Sequence, residues 1–245
     1  MSSPVPWRWI PPITAPGTTQ MAIDRWMLDQ LAAGGDPCLR LYRWSVPTLS
    51  LGRHQRRLEP HWPALVEQGR IALVRRPSGG RAVLHAGELT YALACRPASA
   101  NRQRAYRSCC QWLLEALALA GQPLHWGGAA DGGRFIEAQG RSSCFATATG
   151  ADLIAADGAK RIGSAQLWRG GLVLQHGSLL LDPPADLWRE VFGGPPPPLA
   201  PLAWGPQRWE TELRRSAERH LCGAPLQERP LAPEEWRQIQ ALEPL

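Results

Sequence analysis

Five short apolar runs, at residues 39–44, 48–51, 71–74, 82–85 and 89–95, are cut apart by proline and glycine. Runs this short can bury an apolar face only by pairing edge to edge, so this stretch is confined to a sheet, read here as a meander. Helical patterns stand on either side. Thr18 and Thr19 can cap a helix carrying Met21, Ile23, Met27 and Leu31, which stops at Gly34-Gly35. A second helix over 104–120 places Tyr106, Cys110, Leu113, Leu114 and Leu117 on one face, ends at Gly121, and should back the sheet. Further strands are expected at 152–155 and 161–168 around the hairpin signal Asp157-Gly158, then at 172–175 and 178–181 flanking His176-Gly177. Residues 185–192 read as helix, 193–198 as a stiff linker, and 207–221 and 233–242 as terminal helices.

This order predicts an α+β fold with a mixed, largely antiparallel sheet backed by helices. The expected organisation is a Pro-rich arm at 1–17, a main domain at 18–192, and a Pro-rich linker with a helical tail at 193–245 packing on the same domain. At 245 residues the chain is long enough to bury a sizeable core, and 44% hydrophobic with 20% charged residues excludes disordered and collagen-like classes. No apolar run approaches the roughly 18 residues of a membrane span, so a soluble protein is expected. The first sixteen residues hold five prolines and no apolar core, unlike a secretory leader. The six cysteines form no CxxC or other metal-ligating spacing and no disulfide framework is needed, which points to a reduced, cytoplasmic setting and no metal.

The formal charge is +6, and of the 27 basic residues 26 are arginine and one is lysine, Lys160. The charge suits an acidic partner. A lone amine among guanidinium groups is a candidate for work that arginine cannot do, as a compact point charge or a titrating group.

Three stretches could carry chemistry. In the run from Arg75-Arg76-Pro77-Ser78-Gly79-Gly80-Arg81 to His85, glycine lets backbone N–H groups approach a ligand and arginine supplies positive potential; an ordinary turn with solvated arginines would look similar. In the second, Lys160 precedes the small residues Gly163-Ser164-Ala165 and Gln166, with Gln175-His176-Gly177-Ser178 beyond, leaving room for a substrate chain or carbonyl against a strand. An exposed turn lysine is the plain alternative. In the third, Cys144 lies among small polar residues before Phe145, whereas Cys38, Cys95 and Cys110 sit in apolar patterns that fit core positions. A cysteine close to an ammonium has its thiolate favoured and can act as a nucleophile.

Together these segments resemble the lipoate–protein ligase and octanoyltransferase family, which shares its catalytic domain with biotin ligases. The resemblance runs from Met21-Ala22-Ile23-Asp24 through 39–55 and 75–91 to 144–182. It implies an acyl group held between the Ser78-Gly79-Gly80 loop and the Gly163-Ser164-Ala165 strand, with Arg76, Arg81, His85, Gln166, His176, Gly177 and Ser178 completing the substrate site. Cys144-Phe145 is similar to the Cys-Phe motif of a ligase-like transferase branch, although Ala148-Thr149-Gly150 replaces that branch's Pro-Ser-aromatic stretch. The branch implies octanoyl transfer from acyl carrier protein, through a Cys144 thioester assisted by Lys160, to a lysine of a lipoyl domain or glycine-cleavage H protein. It needs no cofactor, and a monomer is expected. His85 and His176 are the imidazoles available as base.

Two other readings compete. An ATP-dependent lipoate ligase would use magnesium and ATP, with Arg75, Arg76 and Gly79-Gly80 cradling an adenylate phosphate. A nucleic-acid binder would use the arginines with the 12 tryptophans, but these are scattered singly and form no basic-aromatic repeat, so neither nucleic acid nor membrane is expected as a partner.

Overall fold

A computed structural model describes residues 5–127, 142–146 and 152–242. In chain order the elements are β1 (Arg8–Ala15), α1 (Gly17–Ala32), β2 (Cys38–Trp44), β3 (Thr48–Leu51), α2 (Trp62–Glu67), β4 (Ala72–Arg75), β5 (Val83–His85), β6 (Glu88–Cys95) and α3 (Arg102–Leu119). There follow β7 (His125–Trp126), a 3₁₀ turn (Cys144–Ala146), β8 (Leu153–Ile154), β9 (Lys160–Arg169), β10 (Leu172–Leu180), α4 (Ala185–Phe192), α5 (Pro206–Ala217), β11 (Gln227–Glu228) and α6 (Pro233–Gln240). The large sheet runs β11-β1-β2-β6-β10-β9-β8-β7 and a small sheet runs β4-β3-β5. The class is α+β, with antiparallel pairs predominating and parallel pairs at β1/β2, β1/β11 and β3/β4.

Strand periodicity divides the core into layers. On β6, Leu89, Tyr91, Leu93 and Cys95 face the layer of α3 and α5, where they meet Trp112, Leu113, Leu117, Trp209 and Leu213. The alternate residues Ala92 and Ala94 face α1, against Ile23 and Met27. A third cluster joins the small sheet to α4 through Leu49, Leu84, Trp188 and Val191, and includes Phe145. Each fully buried side chain of this size contributes about 1.5–3 kcal/mol by leaving water.

The structure corrects four readings. Residues 8–15, taken from their prolines as part of an arm, form β1 between β2 and β11. The register with β2 breaks between Ile10 and Ile13, where Pro11 and Pro12 lack the N–H a regular ladder needs. The meander is two sheets, because β3 leaves the large sheet to pair in parallel with β4. β10 runs unbroken through His176-Gly177. The helix α2, begun by Trp62 with Pro63 in its first turn, was not anticipated.

Candidate active site

Register places the site. Across β2, β6, β10 and β9, one row reads Arg40, Ala92, His176, Ala165 and the next reads Tyr42, Thr90, Ser178, Gly163. Both rows lie on the face that looks towards α1, because Cys38, Tyr42, Ala92 and Ala94 pack there. The small sheet and the loop after β4 stand against this surface and form a cleft whose lining includes Ser50, Gly79, Gly80, Cys144, Gly163 and Ala165. Its floor is crowded: a Cβ built on Gly177 would stand 2.5 Å from Ser164 Oγ and 2.7 Å from Gly163 O. That glycine marks a close approach of strands rather than a turn.

Cys144 is fixed by its neighbours on both sides. Its N–H donates to Ala82 O at 2.9 Å, tying the 3₁₀ turn to the start of β5. Phe145 is buried, with its ring 6.1 Å from that of Trp188. Lys160 opens β9 and is only 4% exposed, so it is no solvated turn lysine. Its Nζ donates to Cys144 O at 3.0 Å, lies 3.6 Å from Cys144 Sγ, and pairs with Asp152 Oδ1 at 2.8 Å. Gly163 leaves the room this requires, since a Cβ there would stand 3.0 Å from Lys160 Cε and 3.3 Å from Nζ. Ammonium, sulfur and carboxylate thus form one cluster at the cleft.

Both histidines lining the cleft are held by serine and carboxylate. His176 Nδ1 lies 2.7 Å from Asp24 Oδ2 and its Nε2 lies 2.5 Å from Ser78 Oγ. Asp24 also accepts from Arg40, whose Nη2 is 2.5 Å from Oδ1. Burial alone would raise the Asp24 carboxyl, but Arg40 and His176 pull it below its ordinary value. His85 Nε2 lies 2.8 Å from Ser50 Oγ and Nδ1 2.9 Å from Glu88 Oε1. Burial holds His85 below the usual imidazole range against the opposing pull of Glu88.

Most residues singled out in the sequence converge. Arg76, Gly79, Gly80, His85, Cys144, Gly163, Ser164, Ala165, His176, Gly177 and Ser178 line the cleft. Others stand outside that lining, Lys160 among them, which touches it at Cys144. Ser78 is buried behind His176, Gln166 bonds with Gln175 and Trp168, and the Arg81 carbonyl accepts from Arg76. Arg76, expected as an anion-holding charge, donates to the carbonyls of Ser50, Gly79 and Arg81, and burial lowers it from the usual arginine range. Residues 148–150 lie outside the described residues. Sequence reading missed Trp44, Ser50 and Thr90 in the lining and Asp152 beside Lys160. Asp152 had one usable signal, its place across the Asp157-Gly158 hairpin from the lone lysine.

A half-open apolar cleft on a mixed sheet, with a thiol in its wall and a buried amine in contact with that thiol, is suited to handling an acyl group. The chain belongs to the lipoyl protein ligase A/B catalytic domain family, whose model matches residues 16–196. It is 34% identical over 236 residues to octanoyltransferase LipM of Kyrpidia tusciae, covering 90% of this chain and 81% of that one. Against octanoyltransferase LipM of Moorella thermoacetica it is 38% identical over 181 residues, covering 71% of this chain and 65% of that protein. Its fold is similar to the bipartite lipoate protein ligase of Thermoplasma acidophilum, with a TM-score of 0.74 at 18% identity over 96% of this chain and 91% of the other. It is also similar to a lipoate-protein ligase A bound with ATP, at TM-score 0.75 and 19% identity over 96% and 93% of the two chains.

Proposed function

We propose that this chain is an octanoyltransferase of protein lipoylation, which moves an octanoyl group from acyl carrier protein to a lysine of a lipoyl domain or glycine-cleavage H protein. The observation that carries the reading is that Cys144, which lines an apolar cleft, has its Sγ 3.6 Å from the buried Lys160 Nζ. Relatives named octanoyltransferase support it.

The Cys144 sulfur attacks the thioester carbonyl, the carrier's thiolate leaves, and an octanoyl-Cys144 thioester remains. One thioester replaces another, so this step is close to isoenergetic and reversible. Lys160, with Asp152 fixing its position, accompanies the negative charge as it moves between sulfur and the tetrahedral oxyanion. The acceptor amine then displaces the sulfur and forms an amide, the more stable product. No cofactor takes part, the surplus of arginine favours docking of acidic carrier and lipoyl domains, and the setting is the cytoplasm. The described helices include none long and apolar enough to cross a membrane.

The ligase reading is the weaker one. Its phosphate cradle needs outward-facing guanidinium groups, whereas Arg75 donates to the carbonyls of Gly52 and Gln55 and Arg76 to those of its own loop. The tryptophans a nucleic-acid binder would stack on bases include Trp9, Trp26, Trp62, Trp112, Trp188 and Trp209, all buried. The test is transfer from octanoyl acyl carrier protein to a lipoyl domain in the absence of ATP. Octanoylated lipoyl domain is the expected product; label appearing only with ATP and a free acid would overturn the reading in favour of a ligase.

A further inference from the structure

We propose that Ser50, His85 and Glu88 form the proton relay for the second half of the transfer, receiving the proton that the acceptor lysine sheds as it attacks the octanoyl-Cys144 thioester. This rests on the transferase reading and deepens it, because the sequence left the base open between two imidazoles.

Geometry separates the two. Each ring is held by a serine at Nε2 and a carboxylate at Nδ1, but Ser78, the partner of His176, stands outside the cleft lining, whereas Ser50, the partner of His85, is part of it. The chain of bonds from Ser78 through His176 to Asp24 ties the Gly79-Gly80 loop to α1. His85 is placed differently. It lines the inner cleft, and it also lines an outer groove with Arg43, Gly87, Glu88 and Asp182. Trp44 and His85 are the two residues common to both linings. A proton taken up on the inner side therefore has a short way out to the other.

The ring is oriented for this work. Trp44 stacks on it, with centroids 3.8 Å apart and planes 16° from parallel, and donates through Nε1 to Thr90 Oγ1 at 2.9 Å. Thr90 in turn donates to Glu88 Oε1 at 3.3 Å. With Glu88 accepting from Nδ1–H, the lone pair of Nε2 is directed at Ser50 Oγ, and Ser50 lines the cleft. The charged and titratable groups facing His85 are Glu88 on β6, Arg76 after β4 and His176 on β10, with Arg43 at the end of β2 and Asp182 lining the same groove. Burial, Arg76 and His176 all favour the neutral ring, which is the form able to accept a proton.

The balance is simple. The neutral amine, having left its ammonium proton in water, forms the C–N bond as the C–S bond breaks and Cys144 departs as thiolate. The nitrogen's proton passes to Ser50 Oγ while the Ser50 proton passes to His85 Nε2. The imidazolium, held by Glu88, then releases its proton through the outer groove.

The test separates the half-reactions by single-turnover intact mass spectrometry on wild type, His85→Gln, Glu88→Gln and Ser50→Ala. Loading of Cys144 from octanoyl acyl carrier protein is timed first, and transfer from the loaded enzyme to a lipoyl domain is timed second. The relay predicts that His85→Gln slows transfer by about 100-fold or more while slowing loading by less than about tenfold. Ser50→Ala, which removes one small hydroxyl, should show the same imbalance more weakly. The neutral fraction of the acceptor amine falls with pH in every variant, so the relay shows as an added steepness of the wild-type transfer rate as pH drops through and below the ordinary histidine range near 6.5, and that added steepness vanishes in His85→Gln. Equal slowing of both half-reactions, or the same added steepness in His85→Gln as in wild type, would overturn the relay. Absence of any wild-type adduct would instead overturn the transferase reading beneath it.

Discussion

Replacing Lys160 by methionine removes the ammonium but leaves the Asp152 carboxylate in place. The two side chains are 4% and 6% exposed and 2.8 Å apart, so the variant leaves a charge that water cannot readily reach. Breaking one side of a buried pair costs about 3–5 kcal/mol, and the lower end applies here because Asp152 has other interactions. For a chain of this length about 1 kcal/mol shifts Tm by roughly 2–4 °C, so Lys160→Met should melt about 6–12 °C below wild type. Adding Asp152→Asn removes the stranded charge and should recover most of that loss. It should not recover chemistry: loading of Cys144 from octanoyl acyl carrier protein should remain slower by about 100-fold or more in both variants. Calorimetry and timed mass spectra on the same samples give both readouts. A single variant that melts within about 2 °C of wild type would refute the burial argument, and a double variant that loads at the wild-type rate would reduce Lys160 to a structural role.

Gly163→Ala would bring a Cβ to 3.0 Å from Lys160 Cε, so the lysine must shift by a few tenths of an ångström; loading should slow about 10- to 100-fold with the fold retained, and an unchanged loading rate would contradict the packing argument. Asp24 is held below its ordinary value of 3.8, so its contribution to stability is present above about pH 4 and is lost as pH falls through the lowered folded value. Melting curves between pH 6 and 2.5 should therefore show a shallower acid limb in Asp24→Asn than in wild type, and parallel limbs would refute the assignment.

The sequence carried local structure well where periodicity decides it. The strand runs at 39–44 and 48–51 and the helix at 185–192 reappear as β2, β3 and α4 with nearly the same ends. It failed where one residue type has two physical uses. Pro11-Pro12 reads as an arm, yet sits at a register break inside a paired strand. Gly177 reads as a turn, yet serves the close packing of β10 against Ser164 and Tyr91. The site was legible in part for a related reason. Cys144, Lys160 and the glycine-rich segments stand out by rarity and composition. Ser50 and Trp44 are ordinary residues brought to the site by sheet register and the meeting of two sheets, and Asp24 by the packing of α1 on the large sheet, which no short window records; Asp152 alone stands a hairpin's length from its partner.

The most direct test of the account is the mass of the intact protein after mixing with octanoyl acyl carrier protein and no ATP, beside Cys144→Ala. The account predicts one octanoyl adduct on the wild-type chain, removed by hydroxylamine and absent from Cys144→Ala. A wild-type chain that stays unmodified, or an adduct that persists without Cys144, would contradict it.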